Sequence, residues 1–256
     1  MSSVEEIEFA DIQNMEYPLT RNENRNICNS YSYEPYSLTV VFGSVCLDGI
    51  VLIADRKLTN TIGGKDDAGI KIHGDLEHIL MEYTGAVKMF DIFRKYVVGE
   101  VIITRADEER YKYDNVLDTM STLLKEFNDS IGRQHSMFEM LVAKHRGVNS
   151  ELYHIDISGK TNKINYKAIG IGKLIADTFC KKLFEDNHKQ PTMKEFIKRA
   201  YTAIMYMEQF CSGMGVGIGD DIPDIKYLYY DQVWDKNPLR TRHKELRTVK
   251  IMRMRN

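Results

Sequence analysis

Two apolar runs separated by turn-forming residues are the most distinctive pattern in the chain. They extend from Thr39 to Leu47 and from Ile50 to Ala54, are rich in Val and Ile, and flank Asp48-Gly49. Asp-Gly between two such runs predicts a β-hairpin, because the turn needs a positive φ that glycine supplies. The runs are nearly continuous rather than alternating, so we expect both faces of the hairpin to be buried. Thr39 opens the first strand, and Asp55 ends the second.

Helical and strand-like patterns then follow in blocks. Strands are predicted at residues 70–73, 78–83, 137–144, 151–157, 163–169 and 224–230, and helices at 86–98, 114–131, 173–184 and 193–209. A glycine-rich segment, 211–219, is predicted to open the last strand region. The order of strands, two helices, strands, two helices and strands fits two helix layers that enclose strands, not a regular βαβ alternation.

The two ends of the chain differ in composition from its middle. Residues 1–38 are polar, rich in Asn, Glu, Ser and Tyr, and show little periodicity, which predicts a flexible or loosely docked leader. Residues 236–256 form a basic C-terminal tail, interpreted as solvated or in contact with another subunit in preference to binding nucleic acid. The length of the segment between them, 39–235, fits one large domain as well as two.

Composition excludes several classes of protein. A net charge of −2 over 256 residues gives no nucleic-acid or membrane signature, and no apolar run approaches the length of a membrane span. The four cysteines form no CxxC pair, so we expect reduced thiols and a cytoplasmic protein, with Cys46 and Cys180 in the core. His, Cys and acidic residues form no ligand cluster, so we expect neither metal nor cofactor.

Three polar residues lie within the apolar strands or at their edges: Thr39, Asp55 and Lys71. Singly, each has an ordinary explanation as a strand-forming threonine, a surface ion pair or an outward-pointing lysine. The segments Gly170-x-Gly172 and Gly213-x-Gly215-x-Gly217 are weak phosphate-loop signals, because neither lies between a strand and a helix with the full fingerprint.

The combination of these residues is more specific. Sixteen residues separate Thr39 from Asp55, sixteen more separate Asp55 from Lys71, and Gly85 follows fourteen later in Thr84-Gly85-Ala86. With the sequence TVVFGSVCLDGIVLIADRKLT, this spacing resembles the β-type subunits of the 20S proteasome, an N-terminal-nucleophile hydrolase family, and suggests a divergent or archaeal member. The resemblance covers Leu38 to Gly219 and implies an α+β fold, a four-layer αββα sandwich.

The resemblance also implies roles for particular residues. Thr39 would be the nucleophile once residues 1–38 are removed, with its own α-amine as the base. Lys71 would favour ionisation of the hydroxyl, Asp55 would hold the lysine, and the backbone N–H of Gly85 would stabilise the oxyanion. Supporting positions match Glu208, Cys211, Ser212 and Gly213. Positions in or near a substrate pocket match Leu58, Gly69, His73, Tyr83 and Val87.

The chain departs from the family pattern at several positions. Leu38 stands where processed members have glycine, and a leucine hinders the tight turn needed for self-cleavage. Gly170-Ile171-Gly172 lacks the serine of Gly-Ser-Gly. The Asp-x-x-Ser-Gly-Gly motif becomes Glu208 to Gly213, with Cys211 or Ser212 in place of the serine. Lys57 replaces an arginine and keeps the charge.

These observations leave three functions open. The first is a threonine endopeptidase acting on protein or peptide substrates within a homo- or hetero-oligomeric ring. The second is an unprocessed, catalytically silent structural subunit. The third is a diverged amidohydrolase or transpeptidase that keeps the nucleophile. The threonine, acid and lysine together favour chemistry, whereas Leu38 favours the other two.

Overall fold

Two five-stranded antiparallel sheets organise the part of the chain that the structure describes. The structure is a computed structural model, and it describes residues 39–58, 67–68, 70–76, 79–85, 90–91, 93–95, 97–98, 114–131, 139–146, 149–185, 190–210, 216, 223–229 and 247–248. The predicted leader and most of the predicted tail lie outside these residues. No helix among the described residues is long and apolar enough to cross a membrane.

The strands are β1 (Val40–Cys46), β2 (Gly49–Ala54), β3 (Lys57–Leu58), β4 (Asp67–Ala68), β5 (Ile72–Leu76), β6 (Ile79–Thr84), β7 (Glu139–Arg146), β8 (Asn149–Ile155), β9 (Thr161–Ile164), β10 (Tyr166–Gly170), β11 (Asp224–Tyr229) and β12 (Arg247–Thr248). The helices are α1 (Asp114–Ile131), α2 (Lys173–Cys180), α3 (Lys182–Glu185) and α4 (Met193–Phe210). Residues 90–91, 93–95 and 97–98 are also helical. The first sheet has the order β10-β1-β2-β11-β12 and the second β5-β6-β7-β8-β9, while β3 and β4 pair separately.

Three apolar layers hold these elements together. The first packs the outer face of the β1 sheet against α2 and α4, and includes Phe42, Ile53, Phe179 and Tyr201. The second packs the outer face of the β6 sheet against α1 and the helical residues between 90 and 98. The third lies between the sheets, where side chains such as Leu52 and Leu141 meet. The order helix, sheet, sheet, helix confirms the predicted α+β αββα sandwich.

The predicted hairpin forms, with its turn one residue earlier than expected. Cys46 pairs with Gly49, so Leu47 and Asp48 make a two-residue turn and Gly49 is the first residue of β2, with φ at 156°. Every residue of both strands is buried, as the continuous apolar runs predicted. Both strands are central in their sheet, which explains why neither face alternates with polar residues.

Several other boundaries differ from those predicted. Helix α1 has the predicted bounds, and α4 is one residue longer than expected. The single strand predicted at 163–169 is two strands, β9 and β10, which belong to different sheets and are separated by Asn165. The helix predicted at 173–184 is divided into α2 and α3 at Lys181. Two residues of the predicted tail form β12 and pair with β11.

The N-terminus of α4 is held by side chains from two parts of the chain. Thr192 and Glu195 form a capping box, in which each side chain accepts a hydrogen bond from the other's backbone N–H. The turn of the hairpin supplies a further acceptor, because Asp48 Oδ1 lies 2.8 Å from the backbone nitrogen of Met193. The backbone N–H of Leu47 also donates to the carbonyl oxygen of Pro191 at 3.0 Å.

Replacing Asp48 with alanine removes this acceptor from the first turn of α4. The loss of a capping acceptor costs about 1 kcal/mol, so we expect the midpoint of thermal unfolding to fall by about 2–4 °C. Circular dichroism during heating measures the change. Asp118→Ala, at an exposed position on α1, is the matched control and should shift the midpoint by less than about 1 °C. Equal shifts in the two variants would contradict a capping role.

Candidate functional site

The open end of the hairpin brings Thr39 and Asp55 together. Val41 pairs with Ala54, and the ladder continues one step further, because the backbone N–H of Asp55 donates to the carbonyl oxygen of Val40 at 3.2 Å. The side chain of Asp55 points towards β1, and its Oδ1 accepts a hydrogen bond from the backbone N–H of Val40 at 2.9 Å. The sixteen-residue spacing between Thr39 and Asp55 is therefore a consequence of hairpin pairing.

The Thr39 hydroxyl lies between the side chains of an aspartate and a lysine. Thr39 Oγ1 donates a hydrogen bond to Asp55 Oδ1 at 2.5 Å and accepts one from Lys71 Nζ. Lys71 Nζ also donates to Asp55 Oδ1, at 2.7 Å, so the three side chains form a closed triangle. The structure thus brings together three of the four residues that were predicted to carry chemistry.

The Lys71 side chain reaches the hairpin from the other sheet, because Lys71 directly precedes β5. Its Nζ makes a further contact with the carbonyl oxygen of Lys57, at 3.0 Å. The side chains of Lys71 and Asp55 are only 4% and 0% exposed. Burying either charge alone is costly, and the pairing with additional hydrogen bonds offsets that cost. The burial of Asp55 therefore depends on the charge of Lys71, and the burial of Lys71 depends on the charge of Asp55.

Gly170 and Gly172 allow the backbone to approach this site closely. Gly170 pairs with Val40 and has φ at +91°, and a Cβ there would lie 2.3 Å from the carbonyl oxygen of Thr39. A Cβ on Gly172 would lie 2.5 Å from Met207 Sδ. The Gly-x-Gly spacing that gave a weak phosphate-loop signal is explained by packing, since any side chain at either position would displace a neighbour.

Gly85 lies at the end of β6, next to this close approach. It has φ at +132°, in the region that favours glycine. Its neighbour Thr84 lies beside Gly170, because a Cβ on that glycine would be 3.0 Å from Thr84 Cγ2. The chain therefore passes close to Thr39 just before Gly85. The role of the Gly85 N–H as an oxyanion donor stays a prediction.

Two of the predicted pocket residues belong to one aromatic cluster. The Tyr83 ring stacks on Phe90 with centroids 3.7 Å apart, and the His73 ring lies 5.3 Å from Phe90 and 6.2 Å from Tyr83. Tyr83 is 2% exposed, and burial raises the pKa of its phenol. Of the other predicted pocket residues, Gly69, Val87 and the Leu58 side chain lie outside the described part of the chain.

The predicted supporting residues are only partly described. Glu208 lies near the end of α4 and is half-buried, while Cys211, Ser212 and Gly213 lie outside the described residues.

Cys46 and Cys180 are buried free thiols, as predicted, and burial raises the pKa of Cys46 to about 12. No group of three potential metal ligands occurs within the described residues.

The chain was compared with models of known protein families. Residues 38–218 match the proteasome subunit family. The chain belongs to the proteasome subunit family. The matched region begins one residue before Thr39 and includes Asp55, Lys71 and Gly85. No curated protein matches the chain.

Glu82 is a buried residue of this proteasome subunit that the sequence analysis did not single out. It lies on β6 opposite Ile72 and is 0% exposed. Neither carboxyl oxygen has a hydrogen-bond partner of normal geometry among the described residues. Burial above all, and then the charge of Asp224, raise the pKa of Glu82 well above its ordinary value, while Lys71 opposes the shift. A lone acid inside the apolar strand ILMEYT was the available signal.

Replacing Glu82 with glutamine should remove a pH dependence of stability. Above the ordinary glutamate pKa of 4.5, the folded protein keeps a proton that the unfolded chain releases. The wild-type free energy of unfolding should therefore fall as pH rises towards the raised pKa, by about 1.4 kcal/mol per pH unit. Glu82→Gln lacks this term, so its stability relative to the wild type should increase from pH 5 to pH 8. Urea unfolding at each pH measures both proteins.

The matched control is Glu126→Gln, at an exposed position on α1. Its free energy of unfolding should follow the wild-type pH dependence within about 0.5 kcal/mol. A Glu82→Gln variant whose pH dependence is parallel to that of the wild type would show that the Glu82 carboxyl is ionised in the folded subunit.

Proposed function

We propose that this proteasome subunit is a threonine endopeptidase whose nucleophile is Thr39. The observation that supports the proposal most directly is the position of Thr39 Oγ1 between Asp55 Oδ1 and Lys71 Nζ, all buried. A threonine hydroxyl is a weak nucleophile until its proton is removed. A positive charge at hydrogen-bond distance favours the ionised hydroxyl, and Asp55 fixes that charge in place.

Removal of residues 1–38 would supply the missing base. While Leu38 is attached, the Thr39 nitrogen is an amide and cannot accept a proton. Cleavage of that bond would make it an α-amine, which takes the hydroxyl proton as Oγ1 attacks the substrate carbonyl. The proton then passes to the leaving amine, and the peptide remains as an ester on Thr39. Water hydrolyses the ester, which regenerates the hydroxyl.

Leu38 favours a second candidate function. A leucine before the threonine hinders the turn that self-cleavage requires. A chain that keeps its leader would be a catalytically silent structural subunit, although it has Thr39, Asp55 and Lys71 in place. A third candidate shares the ester intermediate, because an amine in place of water would turn hydrolysis into transpeptidation.

Membership of the proteasome family also suggests how the subunit is used. The family implies assembly into multi-subunit rings, and we propose homo- or hetero-oligomeric rings that act on protein or peptide substrates in the cytoplasm. No cofactor is needed for this chemistry, since the threonine, its amine, the acid and the lysine supply each proton transfer.

Replacing Thr39 with alanine tests the proposed nucleophile. Intact-mass spectrometry of the purified wild type should show the loss of residues 1–38, and an epoxyketone probe should add its mass to the remaining chain. Thr39→Ala should keep the full-length mass and take up no probe. It has no hydroxyl to attack the Leu38 carbonyl during self-cleavage or the ketone of the probe.

Thr178→Ala is the matched control, since among the described residues its hydroxyl donates to the carbonyl oxygen of Leu174, within α2. It should process and bind probe like the wild type. A wild-type chain that stays full-length and unlabelled, in a discrete high-mass particle, would identify a structural subunit. A labelled chain that releases joined peptides would identify a transpeptidase.

Replacing Lys71 with methionine separates chemistry from stability. The variant keeps the apolar stem but removes the ammonium, so the rate of probe addition should fall by about 100-fold or more. It also leaves the Asp55 carboxylate buried without the charge of the lysine, which should lower the free energy of unfolding by about 3–5 kcal/mol.

The double variant Asp55→Asn with Lys71→Met removes both charges. It should recover part of the stability measured by urea unfolding but none of the probe addition. Probe addition at the wild-type rate in Lys71→Met would exclude a chemical role for the lysine.

A further inference from the structure

Strand β11 carries a side chain that binds the chain at Lys71. Asp224, the first residue of β11, pairs with Ala54, directly before Asp55. Its Oδ2 accepts hydrogen bonds from the backbone N–H groups of Lys71, at 3.0 Å, and Ile72, at 2.8 Å. The sheet that contains the proposed nucleophile therefore holds the backbone of the residue that supplies the ammonium.

A second side chain of β11 binds the same short segment. Lys226 lies two residues after Asp224 and so projects from the same face of the strand. Its Nζ donates to the carbonyl oxygen of Ile72 at 2.5 Å. Side chains of β11 therefore bind both backbone polar groups of Ile72. We refer to Asp224 and Lys226 together as the β11 clamp.

The position of β5 explains why such a clamp is needed. β5 is the edge strand of its sheet, and β6 is its neighbour on one side only. Backbone groups that face away from β6 have no partner strand within the described sheet, and such groups need other hydrogen-bond partners. The clamp supplies them from the opposite sheet, at the point where Lys71 enters β5.

The clamp and Asp55 hold Lys71 at its two ends. Asp55 accepts the ammonium at 2.7 Å, while Asp224 accepts the backbone N–H at 3.0 Å. Asp55 follows Ala54, and Ala54 pairs with Asp224, so both aspartates come from neighbouring strands of one sheet. A shift of the Lys71 backbone would move its ammonium relative to Thr39 Oγ1, which the hairpin holds in place.

We propose that Asp224 is a positioning residue for the reaction of Thr39, assisted by Lys226. It acts through Lys71, by fixing the backbone from which the ammonium reaches the hydroxyl. This inference rests on the proposed function, in which that hydroxyl is the nucleophile. Asp224 touches neither the hydroxyl nor the substrate in this role, and its contribution is the geometry of the lysine.

The test compares Asp224→Ala with Asp224→Asn in the full chain. Alanine removes the acceptor, whereas asparagine keeps an acceptor oxygen but removes the charge. We expect Asp224→Ala to slow the addition of an epoxyketone probe to Thr39 by about 10- to 100-fold and to move the pH–rate profile to higher pH, because a displaced ammonium favours the ionised hydroxyl less. Asp224→Asn should stay within about 3-fold of the wild type, with an unchanged profile.

Asp156→Ala is the matched control, because Asp156 also accepts two backbone N–H groups, from Ser158 and Lys160, in an exposed turn. It should leave the pH–rate profile unchanged. A profile for Asp224→Ala that matches this control would overturn the proposal. An Asp224→Asn variant as slow as Asp224→Ala would also overturn it, since the charge rather than the acceptor would then matter.

Hydrogen–deuterium exchange separates this inference from the proposed function. Peptides that cover residues 70–76 should exchange faster in Asp224→Ala than in the wild type or in Asp156→Ala. A wild type that takes up no probe defeats the proposed function, and the exchange result still decides whether Asp224 holds Lys71. Unchanged exchange in these peptides would reject the clamp whatever the activity.

Discussion

The ion pair between Asp55 and Lys71 is the constraint on which the site depends. Both side chains are almost fully buried, and each would be costly alone. Their pairing requires β2 to end where β5 begins, so the two sheets must meet at this edge in one arrangement. Asp55 Oδ1 accepts hydrogen bonds from Thr39 Oγ1, the Val40 backbone and Lys71 Nζ. A single oxygen thus joins the start of one strand, the end of the next and the opposite sheet.

The charges around this pair are balanced. Lys71 and Lys226 are cations, and Asp55 and Asp224 are their anionic counterparts within the same set of contacts. Glu82 lies among them, with no hydrogen-bond partner of normal geometry among the residues that the structure describes. With two cations and two anions, the group carries no net charge when Glu82 keeps its proton. Burial above all, and then the negative charges of Asp224 and Asp55, disfavour a third carboxylate here, which accounts for the raised pKa of Glu82.

Local patterns in the sequence predicted where strands and helices occur better than they predicted which strands pair with each other. The hairpin and α1 follow from the runs Thr39–Leu47 and 114–131, because apolar continuity and helical periodicity are properties of neighbouring residues. The change of sheet at Asn165 was not predicted, since β9 and β10 look like one strand until their partners are known. In the site, hairpin pairing alone places Thr39 beside Asp55, and the family resemblance added Lys71. Asp224 was not predicted, because it meets Lys71 across 153 residues of sequence.

The contacts at the tip of the hairpin bear on how the fold opens. Asp48 binds the first turn of α4 and Leu47 binds Pro191 just before it, while the other end of β1 leads to Thr39. Segments tied by such contacts tend to unfold as one cooperative unit, with a shared opening free energy. The strand that presents Thr39 should therefore open only when α4 loses its first turn as well. An 18-residue helix on the far side of the sheet would thus protect the threonine from local fluctuation, although it contributes no atom to the triad of Thr39, Asp55 and Lys71.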